Sequence, residues 1–195
     1  MNPSAYQQSL EAAFDGVHFT DELRRDFFSC WSAFEFPRTH LITEAERTER
    51  YLYFVVEGVQ ALYLIDQKGE KIVLGFTFQN ELSGVYDSFL LQQPAQFFLE
   101  ALTPSRLLGL PFKDHQRLFD QYPSFNIWGR RFAERVLIGR TKREVELLTL
   151  TAEERYIRFM RRCPPELLQI PQKYLAAYLN MTPETFSRLR RKVRY

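Results

Sequence analysis

Glu184, Arg188 and Arg191 recur at i, i+4 and i+7 near the end of a 195-residue chain, which places them in one stripe if the segment is helical. Those residue types at that spacing suit a nucleic-acid duplex. An arginine fork donates to guanine O6 and N7 together, and a carboxylate accepts from the cytosine amino group. Arg188 and Glu184 are therefore the expected base readers, on the N-terminal half of a helix that enters a major groove. Lys173, Thr182, Ser187 and Arg191 are better suited to phosphates, which fix register without reading sequence, and Thr185 completes the DNA-facing set. The competing reading is an ordinary i,i+4 ion pair between Glu184 and Arg188 on a solvated surface.

Positioning that stripe requires a particular pair of helices. Leu175 and Leu179 lie one turn apart on the first, and Ala176 is small enough to let a second helix cross closely. Asn180 suits a turn, because asparagine tolerates left-handed backbone better than other non-glycine residues. Thr182 is expected to cap the second helix, with Pro183 at its first position and Glu184 at its positive dipole end. Met181, Phe186, Leu189 and Val193 supply the opposing apolar stripe. These choices agree on a helix-turn-helix.

Charge follows the same division. Residues 151–195 hold ten Lys and Arg against four Asp and Glu, a net of +6. The totals of 26 and 24 leave 16 and 20 for residues 1–150, a net of −4. A basic end on a mildly acidic body is the footprint of contact with a polyanion. Other chemistries find no support. Cys30 and Cys163 are too far apart for a CxxC pair, and His18, His40 and His115 lack metal-ligand spacing, so neither a metal nor a cofactor is expected. Nothing recommends His40 or His115 as a haem ligand. The chain contains no P-loop, G-x-S-x-G or H-E-x-x-H and is not expected to be an enzyme. With no leader pattern and no run of transmembrane length, a soluble cytoplasmic protein without a membrane partner is expected.

Upstream, Thr20–Trp31 reads as a capped amphipathic helix, and a further helix is expected over residues 4–14. Residues 33–110 carry short Phe-, Tyr-, Val- and Leu-rich runs separated by turns, the pattern of a small β-barrel or sandwich. The break from Glu81 to Pro94 leaves room for a short helix. Phe112–Tyr122 forms another, stopped by Pro123. From Ser124 to about Leu150 a long helix is expected, of ~25 residues and ~38 Å. Phe125, Trp128, Phe132, Val136, Val145 and Leu148 give it an apolar seam, interrupted by charge between Gly139 and Glu144. Phe125, Trp128, Phe132 and Val136 are the expected dimer contact, since palindromic sites want two recognition helices ~34 Å apart. The domains are accordingly 1–122, an effector barrel with N-terminal helices; 123–150, the dimerisation helix; and 151–195, the DNA-binding end.

The order barrel, long helix, helix-turn-helix resembles the family of the cyclic-AMP receptor protein and FNR (the CRP/FNR family), particularly its short Bacteroidetes members. The resemblance runs from about residue 18 onward. It rests on Tyr51–Gly58, Gly75–Glu81, Ser88–Leu90, Leu99–Leu102, Thr151–Tyr156 and Ile170–Tyr174, and most specifically on Thr182–Arg188. It implies an α+β fold with an N-terminal double-stranded β-helix (a jelly-roll of the cyclic-nucleotide-binding kind). It also implies a homodimeric transcription regulator that binds double-stranded DNA, with RNA polymerase as a further partner. In such a regulator Glu184 and Arg188 are the specificity pair.

Two departures matter. Cyclic-nucleotide binders grip the phosphate with an Arg beside a Ser or Thr, whereas the corresponding stretch here is Pro94–Phe97, and no Lys or Arg occurs from Ile72 to Ser105. A buried phosphodiester without a cation bears a large desolvation cost, so an effector other than cyclic AMP, or none, is expected. Two thiols are also too few for an FNR-type iron–sulfur cluster. The second departure is the end at Tyr195, without the β-hairpin wing of many members, which implies fewer phosphate contacts and a gentler salt slope. Phe76, Phe78, Tyr86 and Phe97, with Glu81 at the family's ribose position, are the candidate effector pocket. They either line a cavity for a small apolar or aromatic effector or simply fill the core. The alternative function is a sensor module of the same kind that signals through a protein partner instead of DNA.

Overall fold

Apolar runs in the middle of the chain pair into two four-stranded antiparallel sheets that face each other as a jelly-roll. The structure, a computed structural model, describes residues 6–193. One sheet is formed by β1 (Ser32–Phe36), β8 (Ser105–Pro111), β3 (Tyr51–Glu57) and β6 (Leu82–Ser83), in that order. The other is β2 (Leu41–Thr43), β7 (Phe98–Ala101), β4 (Gln60–Ile65) and β5 (Lys71–Thr77). The turn between β3 and β4 requires Gly58, whose φ is +97° and where a Cβ would meet Pro104 O at 2.6 Å. A short helix, α3 (Tyr86–Leu91), fills the expected break.

Helices cover both outer faces, which explains why β3 is buried along nearly its whole length instead of alternating. The first sheet is covered by α1 (Gln7–Ala13), α2 (Asp21–Ser29), α4 (Phe112–Gln121) and the start of α5 (Pro123–Thr149). Residues 4 and 5 of the expected first helix lie outside the described residues, as do Arg194 and Tyr195, where the expected chain end falls. Thr20 caps α2 by accepting from Leu23 N. Arg117 of α4 holds Asp26 of α2 through both terminal guanidinium nitrogens, at 2.7 and 2.8 Å, which keeps the Asp26 carboxyl below the usual carboxylate range.

The second sheet is covered by the C-terminal helices α6 (Ala152–Met160), α7 (Gln172–Tyr178) and α8 (Pro183–Lys192), with a 3-10 turn over Pro165–Gln169. Thr151 and Glu154 form a reciprocal capping box at the start of α6. Between the sheets, Tyr53, Val55, Leu62, Phe97, Leu99 and Leu107 interdigitate.

Proline at the first position of α5 starts that helix directly after Tyr122, the cap residue shared with the end of α4, as a fixed φ and a missing N–H allow. Its 27 residues span about 40 Å. Two residues of the expected dimer contact on it, Phe125 and Trp128, are taken up within the chain. Phe125 and Trp128 are 1% and 0% exposed, packed within the chain's own core against Phe14 and Phe119. Trp128 Nε1 donates to Ala13 O at 3.0 Å, which fixes α5 to α1. Phe132 stacks on Trp128 and meets Tyr86 edge-on, and Val136 is half-buried. Phe125 and Trp128 thus serve the chain's own core, while Phe132 and Val136 keep partly exposed surface.

Candidate nucleic-acid interface and the sensor it adjoins

The last two helices form a tight pair because each local residue choice closes it. Asn180 adopts φ +52° in the connection, and Met181 N donates back to Ala176 O. Ala176 is fully buried at the crossing, among Leu175, Leu179, Phe186 and Leu189. Thr182 accepts from Thr185 N at 3.2 Å and caps α8. Tyr156 of α6 meets Phe186 edge-on, so three helices share one core.

Burying Phe186 and Leu189 turns the opposite face of α8 to solvent. Glu184, Ser187, Arg188 and Arg191 are all exposed, and Thr185 is half-buried. Among the described residues no ion pair joins Glu184 to Arg188, and neither Arg188 nor Arg191 has a carboxylate partner. The Glu184 carboxyl is held below its usual range by its own backbone N–H and by Thr182, as a helix N-terminus should do. Lys192, by contrast, is tied to Glu153 at 2.9 Å. Lys173 is exposed on α7, its ammonium 5.4 Å from the Tyr174 ring centre.

Side chains that sequence reasoning passed over hold this unit against the sheet. Lys71 of β5 meets Glu100 of β7 at 2.5 Å, and Tyr174 of α7 donates to the same carboxylate at 3.0 Å. Lys71 also sits 4.0 Å over the Tyr63 ring. Arg143 of α5 donates to Val73 O at 3.1 Å and Tyr178 O at 2.8 Å while stacking on the Tyr178 ring. One guanidinium thereby joins the long helix, the sheet and α7. Isolated charges at i and i+29 give no sequence signal of such a clasp.

The candidate effector pocket does not assemble. Phe76 and Phe78 point out of the barrel and pack with the C-terminal helices. Glu81 accepts from Phe78 N at 3.1 Å, and burial with the Glu166 carboxylate nearby raises its pKa. Tyr86 packs on the α5 side, and only Phe97 lies between the sheets. The physical cause is a bulge in β5 between its pairings to Leu62 and Tyr63, which brings Val73 and Phe76 onto one face despite their odd spacing.

Glu49 was not anticipated either. It is 2% exposed and accepts from Thr43 Oγ1 and from the backbone N–H groups of Arg50, Tyr51 and Val85. Burial raises its pKa against those donors, and its charge adds to the burial that raises the pKa of Tyr53 between the sheets. Ala95, in the stretch expected to correspond to the phosphate grip, is buried, and its N–H donates to Arg47 O.

Residues 34–122 match the profile of the cyclic nucleotide-binding domain. No curated protein matches the chain in sequence. Solved structures do match its fold. CLP, a c-di-GMP-responsive global regulator of Xanthomonas campestris, superposes with a TM-score of 0.70 at 19% identity, covering 89% of this chain and 91% of that one. The Thermus thermophilus catabolite activator protein gives 0.59 at 23%, covering 92% and 85%. A Eubacterium rectale protein assigned to the CRP/FNR family of transcriptional regulators gives 0.71 at 12%, covering 89% and 83%. Residues 34–122 thus match a cyclic nucleotide-binding domain, and the chain shares its fold with these solved regulators. Among the described residues no helix is long and apolar enough to cross a membrane, and no cluster of His, Cys, Asp and Glu is placed to hold a metal.

Proposed function

We propose that this protein is a sequence-specific DNA-binding transcription regulator that acts as a homodimer and carries out no catalysis. The observation that carries this reading is the exposed Glu184–Arg188–Arg191 stripe, without an ion pair among the described residues, on a helix whose other face is buried. A solvated surface helix gains from pairing such charges. Here they are left free on a capped, rigid element, as groove contacts require. Residues 1–122 serve as the sensor, 123–150 as the dimer helix and 151–195 as the DNA-binding end.

The contact that joins the two copies lies further along α5 than the expected Phe125–Val136, and takes in Val145 and Leu148 of the same expected seam. Ile138, Thr141, Val145 and Leu148 recur at steps of three, four and three along α5 and are all exposed, with Leu137 beside them. Ile138 is 54%, Val145 52% and Leu148 79% exposed, an apolar line at coiled-coil spacing that nothing in the single chain covers. Pairing it across a two-fold axis presents two copies of α8 on one side of the dimer. The barrel does not hold cyclic AMP in this reading, because no Lys or Arg occurs from Ile72 to Ser105 to receive a buried phosphodiester.

Arg188→Ala is expected to relax discrimination at one base position at a cost of about 1–3 kcal/mol per half-site. Arg191→Ala is expected to weaken all duplexes about equally and to flatten the salt dependence. Titrations of matched and single-mismatch duplexes at several salt concentrations separate the two. A uniform loss from both variants would remove Arg188 from base reading. No retardation of any duplex at low salt would favour a protein partner instead.

A further inference from the structure

A cavity of about 300 Å³ lies outside the barrel, where β5, α5, α6 and α7 meet. Its walls are aromatic and basic. Phe76 and Phe78 face it from the sheet side, Phe159 from α6 and Tyr178 from α7. Four arginines (143, 155, 158 and 162) stand against one carboxylate, Glu146, an excess of three positive charges.

Those arginines differ in what occupies them. Arg143 donates to Val73 O and Tyr178 O, and Arg155 to Leu150 O, Leu179 O and Asn180 O. Both build the frame. Arg158 meets Glu146 at 3.1 Å. The Arg162 guanidinium lines the cavity with no ion pair or hydrogen bond to any described residue. An unengaged guanidinium beside Phe78 and Phe159 offers a flat ring its apolar and π faces and offers an attached anion a two-pronged donor. The volume sits at the small end of ligand sites, enough for one or two fused rings.

We propose that this cavity is an effector site for a planar aromatic anion, its ring held by Phe78 and Phe159 and its charged group by Arg162 and Arg158. The anion is a carboxylate or a phosphate, since either fits the fork. A ligand seated there touches the second sheet, the long helix and both helices that support α8, so it fixes their relative orientation. That consequence for DNA affinity rests on the DNA-binding reading above; occupancy of the site does not.

Calorimetric titration of the full-length protein with 1-naphthoate and with 1-naphthyl phosphate tests occupancy without any DNA. At least one is expected to bind once per chain, with neutral 1-naphthalenemethanol at least tenfold weaker. Arg162 is exposed, so Arg162→Glu is expected to leave folding intact and to weaken binding at least tenfold. Phe78→Ala serves as an independent second variant with the same expectation. Preference between the two anions assigns the charged group. Failure of both to bind, or affinity unchanged in both variants, would overturn the site. Binding by a protein that retains no duplex would sink the DNA reading alone.

Discussion

Ile138→Glu is expected to turn a dimer into a monomer at micromolar concentration. Its side chain is exposed in the single chain, so the substitution leaves the subunit's own core untouched. In the proposed seam two-fold symmetry places two added carboxylates in a desolvated apolar line. An unpaired buried charge costs about 3–5 kcal/mol, and every 1.4 kcal/mol is a tenfold change in affinity. The dissociation constant is expected to rise by at least ~100-fold. Sedimentation at a series of concentrations reads this directly, while the far-ultraviolet circular dichroism of the variant stays that of the parent. A parent protein that is monomeric throughout, or a variant that dimerises as well as the parent, would show that the seam lies elsewhere.

Trp128→Ala is expected to fail in the opposite way. The indole is fully buried, stacks on Phe14 at 4.3 Å and Phe132 at 5.2 Å, and donates to Ala13 O. Truncating it leaves a cavity, an unpaired carbonyl and a loosened α1, at a cost of about 3–5 kcal/mol. For a chain of this size that lowers the melting temperature by roughly 6–20 °C. The fall is expected at every protein concentration, because the lost contacts lie within one chain. If the destabilisation grew on dilution, Trp128 would belong to the interface after all.

These two residues also show where sequence stops being informative. Phe125, Trp128 and Phe132 form an apolar stripe, and so do Ile138, Val145 and Leu148; spacing alone does not say which stripe meets the body and which meets a second copy. At about 100° per residue the thirteen steps from Phe125 to Ile138 turn about 220°, so the two stripes occupy different sides of α5. Choosing between them needs the position of Phe14, more than a hundred residues earlier in the chain. The strands pose the same problem. The alternation that groups Phe76 with Phe78 is legible, but the bulge in β5 sets which face looks inward, and a one-residue change flips every side chain.

What was legible is what short-range chemistry decides. The left-handed Asn180, the Thr182 cap and the small Ala176 each act within a few residues of themselves, and the last pair of helices could be read from them. The strand-rich middle and the 27-residue helix were legible for the same reason, as sustained periodicity. The Lys71–Glu100–Tyr174 clasp and the Arg143 stack span up to a hundred residues and left no trace in spacing. The basic tail was legible as an excess of charge, but it did not separate the committed charges, such as Lys192, from the free ones.

The most direct measurement of the central claim is selection of bound duplexes from a randomised pool at low salt, followed by sequencing of what is retained. The expected outcome is an inverted repeat whose half-site centres lie about one helical turn apart, ~34 Å, or a multiple of that. The Arg188→Ala protein should recover the same repeat degenerate at one symmetric pair of positions. Retention of no duplex, or of duplexes sharing no sequence or symmetry, would contradict it.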